Sequence, residues 1–299
     1  MPEEKIRKIL IGHKDYPQLL KQIHDPPKVL YVRGSIEILN TPAFGVVGTR
    51  KISEYGKSAT PHIVSDISAS GFTIVSGMAH GVDTLAHKTA LNVGGLTVAV
   101  LGTGVDDKSI YPADNLGLAH RIIESGGAII SEYEPGTEGK PFTFPQRNRI
   151  ISGMSRGVLV IEADEKSGSL ITAKCAIDQN RDVFAVPGSI FSRASKGTNS
   201  IIKKGAKLVS SAEDVLEEYG DIKLQTTNNK PQIRGANEIE EKILEILNTN
   251  SGPMNINDII RSSGLDAQKI TTQLVMMEIT KKIKKVGDKF AEVISKSFS

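Results

Sequence analysis

Residues Ala43–Lys51 read AFGVVGTRK, a short apolar run that breaks into Gly48, Thr49 and Arg50, with Ser53 following as a helix cap. The pattern predicts a strand, a tight turn and a helix start. Such a turn aims bare backbone N–H groups and a cationic side chain into one space, which makes it a seat for an anion, most simply phosphate.

Outward from this stretch, Thr41 to Tyr219 alternates between short apolar runs and amphipathic segments. Strands are predicted at Ala43–Val47, Thr73–Val75, Thr97–Leu101, Ala128–Ile130, Gly157–Ile161, Asp182–Ala185 and Lys207–Val209. Helical patterns fall at Ser53–Ser70, Gly81–Asn92, Leu116–Ser125, Ser169–Gln179 and Ser211–Tyr219. Repeated alternation with β-branched strands predicts an α/β domain, a doubly wound, mostly parallel sheet covered on both faces. Every strand-to-helix loop of such a sheet emerges at its carboxyl edge. GTRK, SGMAHG (Ser76–Gly81), GTGVDD (Gly102–Asp107), SEYEPG (Ser131–Gly136) and EADEKSGS (Glu162–Ser169) are therefore expected to converge there.

Residues 1–40 read as a lead-in, with a helical pattern at Ile6–Leu10, a helix around Tyr16–His24 ended by Asp25, Pro26 and Pro27, and a strand at Val29–Val32. Residues 220–236 are polar and aperiodic, a linker. Residues 237–299 give three helices (Ile239–Leu247, Ile256–Arg261, Asp266–Glu278) and two short strands around Gly287 and Asp288, a small winged helix. Its one cationic cluster, Lys281, Lys282, Lys284, Lys285 and Lys289, suits a solvated wing at least as well as a DNA contact.

With 299 residues, 39% hydrophobic and 24% charged, the chain can form one substantial core and a small second unit. No run approaches the roughly 18 apolar residues of a membrane span, and MPEEKIRKIL is charged where a signal peptide is apolar, so a cytoplasmic protein without a membrane partner is expected. The lone Cys175, in a helical pattern, reads as a structural thiol. A net charge of +3 permits a polyanionic partner without demanding one.

Spacing removes the common nucleotide readings. A dinucleotide site needs G-x-G-x-x-G and an acidic residue at the end of the second strand, which here ends in Val75 and Ser76. Gly56-Lys57-Ser58 imitates a P-loop, but Lys51 stands where its first glycine belongs. His80, Asp83 and His87 lack zinc-helix spacing, and Asp83 is better explained by the helix dipole and His87 by packing or a hydrogen bond. No metal and no cofactor is expected.

Lys140–Ser155, KPFTFPQRNRIISGMS, interleaves Lys140, Arg147 and Arg149 with Phe142 and Phe144. Cations for phosphate and rings for unpaired bases are what one nucleic-acid strand requires. The competing account makes the phenylalanines core and pairs the arginines with Glu132, Glu134 or Glu162. Lys166, Ser167, Gly168 and Ser169, just before a helix, form either a second anion seat or an ordinary helix cap. Two seats some way apart suit successive phosphates.

Together VVGTRKISEYG, SGMAHGVDTLAH, LGTGVDDKSIYPADN, SEYEPG, FPQRNRIISGMS, GSLITA, PGS and GTNSIIKKGA closely resemble the bacterial DNA-processing protein A family, also called DprA or Smf, from about Tyr16 to Tyr219. The resemblance implies an extended Rossmann-like domain, here with a C-terminal winged helix, that binds single-stranded DNA without catalysing a reaction. It further implies a homodimer that protects incoming DNA in natural transformation and loads RecA onto strands covered by single-strand-binding protein. By motif, Gly48, Thr49 and Arg50 would hold phosphate, with Lys51 beside them; Phe144 would meet a base, and Arg147 and Asn148 would line the pocket. Lys140 and Lys166 flank the motifs, and Ser167, Gly168 and Ser169 supply the second seat. Many members carry a complete helical N-terminal domain, of which only a remnant fits before Tyr16. Two alternatives are a Rossmann-like nucleotide-processing enzyme of the phosphoribohydrolase type and an adaptor whose winged helix binds protein or duplex DNA. The first is weakened by SGSLITA, which has no glutamate on the helix's first turn to act as acid or base.

Overall fold

The computed structural model describes residues 6–220, 238–249, 253–279, 283–286 and 289–292. They form two compact units, considered separately.

The first unit holds nine strands: β1 (Arg7–Leu10), β2 (Val29–Gly34), β3 (Ala43–Val47), β4 (Thr73–Ser76), β5 (Thr97–Leu101), β6 (Ala128–Ser131), β7 (Gly157–Val160), β8 (Asp182–Ala185) and β9 (Lys207–Leu208). Its helices are α1 (Gln18–Lys21), α2 (Glu54–Ala69), α3 (Val82–Asn92), α4 (Leu116–Glu124), α5 (Thr143–Met154), α6 (Ser169–Asp178), α7 (Lys196–Lys203) and α8 (Glu213–Leu216). The sheet order is β1-β2-β6-β5-β4-β3-β7-β8-β9. β3 to β9 pair in parallel, while β1 and β2 form an antiparallel edge on β6.

Side-chain alternation along β3 explains the layers. Phe44 and Val46 pack with Ile63 and Ile67 of α2 and Ala86 of α3, while Ala43 and Val47 pack with Ile150, Ile151 and Met154 of α5 and Ala173 of α6. Phe44, Phe72, Phe184 and Tyr219 form an aromatic cluster with centroids 5.5–6.2 Å apart. The Tyr219 hydroxyl donates to Asp182 Oδ2 at 2.8 Å, anchoring the end of this unit.

The chain builds from β3 out to β6, then returns to lay β7 on the other flank of β3. The β3/β7 register, Gly45 with Val158 through Val47 with Val160, brings the two carboxyl ends level. This reversal is where open α/β sheets leave a crevice for ligands.

Three expectations fail. Arg7–Leu10 is an edge strand, not a helix: four residues with only Ile9 buried cannot sustain helical hydrogen bonding, whereas pairing with β2 satisfies the backbone. The lead-in is thus continuous with the sheet. The helix expected around Tyr16–His24 is only the four-residue α1, while α7 lies where no element was expected. The helix expected over Ser211–Tyr219 is a short α8 followed by a 3-10 turn.

The second unit contains α9 (Glu238–Thr249), β10 (Met254–Asn255), α10 (Ile256–Ser263), α11 (Ala267–Ile279), β11 (Ile283–Val286) and β12 (Lys289–Glu292). The expected two strands are joined by β10, giving an antiparallel sheet of order β10-β12-β11. Asn255 caps α10 by accepting from the Asp258 N–H at 3.0 Å. Ile243, Leu244, Ile259, Ile270, Leu274 and Phe290 share its core. The linker residues 221–236, Lys281, Lys282, Gly287 and Asp288 lie outside the described residues.

Candidate nucleic-acid interface

A cavity of about 230 Å³ opens at the β3/β7 reversal. Val47 of β3 and Gly48 and Arg50 of the loop after it line the cavity, with Ala79 from the β4–α3 connection, Asp83 from the first turn of α3, Phe144, Arg147 and Asn148 from α5, and Ser167, Gly168, Ser169 and Thr172 from around the start of α6.

The loop after β3 is held by backbone hydrogen bonds on both sides. Thr49 N–H donates to Glu162 O at 2.8 Å, and Val82 N–H donates to Thr49 O at 3.2 Å. Glycine is required at 48 because a Cβ there would lie 2.5 Å from Val82 Cγ2. The helix beyond does not offer its N-terminus to a ligand. Ser53 caps α2 from within, accepting from Gly56 N–H at 3.2 Å, and the buried Glu162 carboxylate accepts from Ser53 N–H at 3.0 Å and from its hydroxyl at 2.5 Å. The chain's own carboxylate occupies the first turn of α2, so what the loop after β3 offers the cavity is Gly48 and Arg50.

α5 begins with Thr143, whose hydroxyl donates to Lys140 O at 2.9 Å, and Pro145 falls in the first turn, where no N–H is needed. Two arginines on this helix have different fates. Arg147 is 4% exposed and donates from one terminal nitrogen to Gly77 O at 2.7 Å and to Val100 O, tying the ends of β4 and β5 together beneath the cavity. A Cβ at Gly77 would meet its guanidinium at 2.5 Å. Arg149 turns away to the Glu132 carboxylate at 2.8 and 2.7 Å and to Asp25. The ion-pairing account of this segment therefore holds for Arg149 and not for Arg147.

Asp83, 6% exposed, accepts from Gly77 N–H at 3.1 Å. Burial pushes its carboxyl up to about 6, against the opposing pull of Arg147 and the N–H groups of Ala79 and Gly77. Burial likewise lowers Arg147 to about 10, with Asp83 opposing and Arg50 reinforcing that shift. The His87 imidazole meets the Thr97 hydroxyl at 2.7 Å, and burial, with Arg147 adding, pushes it down to about 3. His87 thus has its hydrogen bond, while Asp83 does more than face a helix dipole: it is cavity wall and the counter-charge of Arg147.

At the mouth, the exposed Arg50 guanidinium stands over the half-buried Phe144 ring, 5.8 Å from its centroid. Tyr111 leans on the same ring, 5.4 Å away and tilted by 45°. On α6, the Ser167 and Ser169 hydroxyls are 2.8 Å apart and Asn148 Nδ2 donates to Gly168 O at 3.2 Å, which joins the second seat to α5.

Of the expected contact residues, the cavity unites Gly48, Arg50, Phe144, Arg147, Asn148, Ser167, Gly168 and Ser169. The seats after β3 and before α6 therefore face one space instead of lying apart. Thr49, Lys51, Lys140 and Lys166 do not line it; the three lysines are exposed around it. Thr172 and Tyr111 have no assigned site role in the sequence, and Asp83 is given there to the helix dipole alone. YPADN after the third strand's loop was the available signal for Tyr111, an aromatic in a polar turn.

Residues 7–220 match the family described as DNA recombination-mediator protein A, and residues 228–289 match the DprA winged helix domain. The chain belongs to the DNA recombination-mediator protein A family. The DNA processing protein DprA of Bacillus subtilis is 43% identical over 226 residues, 75% of each chain. That of Streptococcus pneumoniae is 45% identical over 204 residues, 68% of this chain and 71% of the relative. The X-ray structure of the pneumococcal protein superposes with a TM-score of 0.67 at 43% identity, covering 72% of this chain and 75% of that one. DNA processing protein A from Helicobacter pylori, known for a unique single-stranded DNA binding mode, gives a TM-score of 0.65 at 30% identity over 73% of this chain and 96% of its own. Membership accounts for the α/β unit and the winged helix alike.

Proposed function

We propose that the cavity and its rim bind single-stranded DNA, and that the protein is a recombination mediator that protects incoming strands in natural transformation and loads the RecA recombinase onto DNA covered by single-strand-binding protein. The observation that carries this reading is Arg50 over Phe144 at the mouth of the β3/β7 crevice, a cation and a ring at one point. Two guanidinium groups against one carboxylate, Asp83, leave the cavity positive, as a phosphate chain requires. Lys51, Lys140 and Lys166 would hold flanking phosphates, Thr49 would shape the loop, and the protein would act as a cytoplasmic homodimer.

The protein binds and does not turn over its ligand in this reading. The first turn of α6, Ser169 to Thr172, has hydroxyls but no carboxylate, and the Asp83 carboxyl is engaged by backbone N–H groups. Base release from nucleoside monophosphates by pure protein would instead support an enzyme. The direct test is a titration with single-stranded and duplex oligonucleotides at fixed salt, with Arg50→Ala alongside. Preference for the single strand, weakened at least tenfold in Arg50→Ala with an unchanged melting temperature, is expected; equal affinity for both DNA forms would overturn the reading.

A further inference from the structure

Phe144 is less available than its place in the motif suggests. Arg50 stands over its ring, and the backbone crowds it: Cβ atoms at Gly102 and Gly139 would lie 3.1 and 2.7 Å from ring carbons. Tyr111 covers a further part. A planar base approaching from solvent therefore meets little free surface on Phe144 itself.

Tyr111 presents the opposite picture. It is 54% exposed although its ring rests on Phe144, and its hydroxyl has no hydrogen-bond partner among the described residues. An exposed ring fixed on one side by another ring, with a guanidinium beyond, is a step onto which an unpaired base can stack. It also continues the cavity outward, from the Gly48–Arg50 phosphate seat through Phe144 to the loop after β5.

We infer that Tyr111 is a base-stacking residue of the single-stranded DNA site, which places an unpaired base on its outward face next to the nucleotide whose phosphate Arg50 holds. Phe144 then serves as the pedestal that sets both Arg50 and Tyr111. The inference rests on the single-stranded DNA reading of the cavity.

Stacking on an aromatic residue depends on the base, whereas support of a neighbouring ring does not. The test measures the affinity of the full chain for an oligothymidylate of about 20 nucleotides and for a matched abasic deoxyribose-phosphate strand. Wild type, Tyr111→Leu, Tyr111→Phe and Arg50→Ala are compared. Tyr111→Leu is expected to weaken oligothymidylate binding about tenfold, equivalent to about 1.4 kcal/mol, and to leave abasic binding within about twofold. Tyr111→Phe keeps wild-type affinity, and Arg50→Ala weakens both strands. Equal loss on both strands in Tyr111→Leu assigns Tyr111 to packing and overturns the inference. So does wild-type oligothymidylate affinity in Tyr111→Leu while Arg50→Ala remains defective. If the wild type binds neither strand, the failure belongs to the functional reading.

Discussion

Glu162 and Ser53 lie 109 residues apart, yet one carboxylate accepts from both the backbone N–H and the hydroxyl of Ser53, at 3.0 and 2.5 Å. Glu162 is 1% exposed, so this contact closes the first turn of α2 without solvent and locks the end of β7 to the loop after β3. An anion at a helix N-terminus is favoured by the dipole, and a buried charge-assisted hydrogen bond is worth more than a neutral one. Glu162→Gln removes the charge and leaves an amide nitrogen against the Ser53 hydroxyl, which must then accept where it donated. It should cost about 1–3 kcal/mol in chemical denaturation. Wild-type stability in that variant would show that the carboxylate is dispensable to the fold.

Gly56→Ala probes the same junction from the other side. Its Cβ would sit 2.3 Å from Glu162 Oε2, in the buried first turn of α2. An alanine normally strengthens a helix by up to about 1 kcal/mol relative to glycine. Here it should destabilise by about 1–3 kcal/mol, because the carboxylate must leave its hydrogen bonds to make room. A rise in the denaturation midpoint would contradict the packing described.

The exposed lysines separate the cavity from its surroundings. Lys51, Lys140 and Lys166 are outside the lining and can act only as screened charges on a passing backbone. Each Lys→Ala change should weaken single-stranded DNA binding modestly and make the slope of log affinity against log salt shallower by about 0.7. A variant with wild-type slope and affinity would remove that lysine from the strand's path.

Much of this arrangement was legible in the chain, and the failures share a cause. The turn at Gly48 and the alternation around it follow from local period and glycine placement, and β3, β5 and β8 fall where the apolar runs put them. The filling of the α2 N-terminus was not legible, since it depends on a residue 109 positions away. Nor were the separate fates of Arg147 and Arg149. Two positions along a helix is a rotation of about 200°, so one arginine must face inward if the other faces out. Sequence shows both cations without the helix's orientation on the sheet. RKIL is too short for either periodicity to decide, and only the free edge of β2 makes it a strand.

Asp83 gives the fold a pH dependence that can be isolated. Its carboxyl is raised from 3.8 to about 6, so the folded state holds the proton more tightly than the unfolded chain. The stability it contributes is complete below the unfolded value and is lost as pH rises through about 6. Its full span is of order 3 kcal/mol. His87 works in the opposite sense, but it is common to wild type and Asp83→Asn and cancels in their difference. Between pH 4 and pH 7.5, wild type should lose stability relative to Asp83→Asn. Parallel melting-temperature profiles for the two proteins would refute the assignment.

Arg149 supplies the contrast that tests the division of labour on α5. Its guanidinium makes a two-pronged contact with Glu132, both side chains 14% exposed, and its Nε also reaches Asp25 Oδ2 at 3.2 Å. Removing it leaves Glu132 at the base of the loop after β6 with a poorly solvated charge. Arg149→Ala should therefore cost about 2–4 kcal/mol of stability while keeping single-stranded DNA affinity within about twofold at a temperature where the variant is folded. Arg147, under the cavity, should lose both when replaced by alanine. If Arg149→Ala folded normally and lost DNA binding, the ion pair would be a gate to the interface instead of a brace behind it.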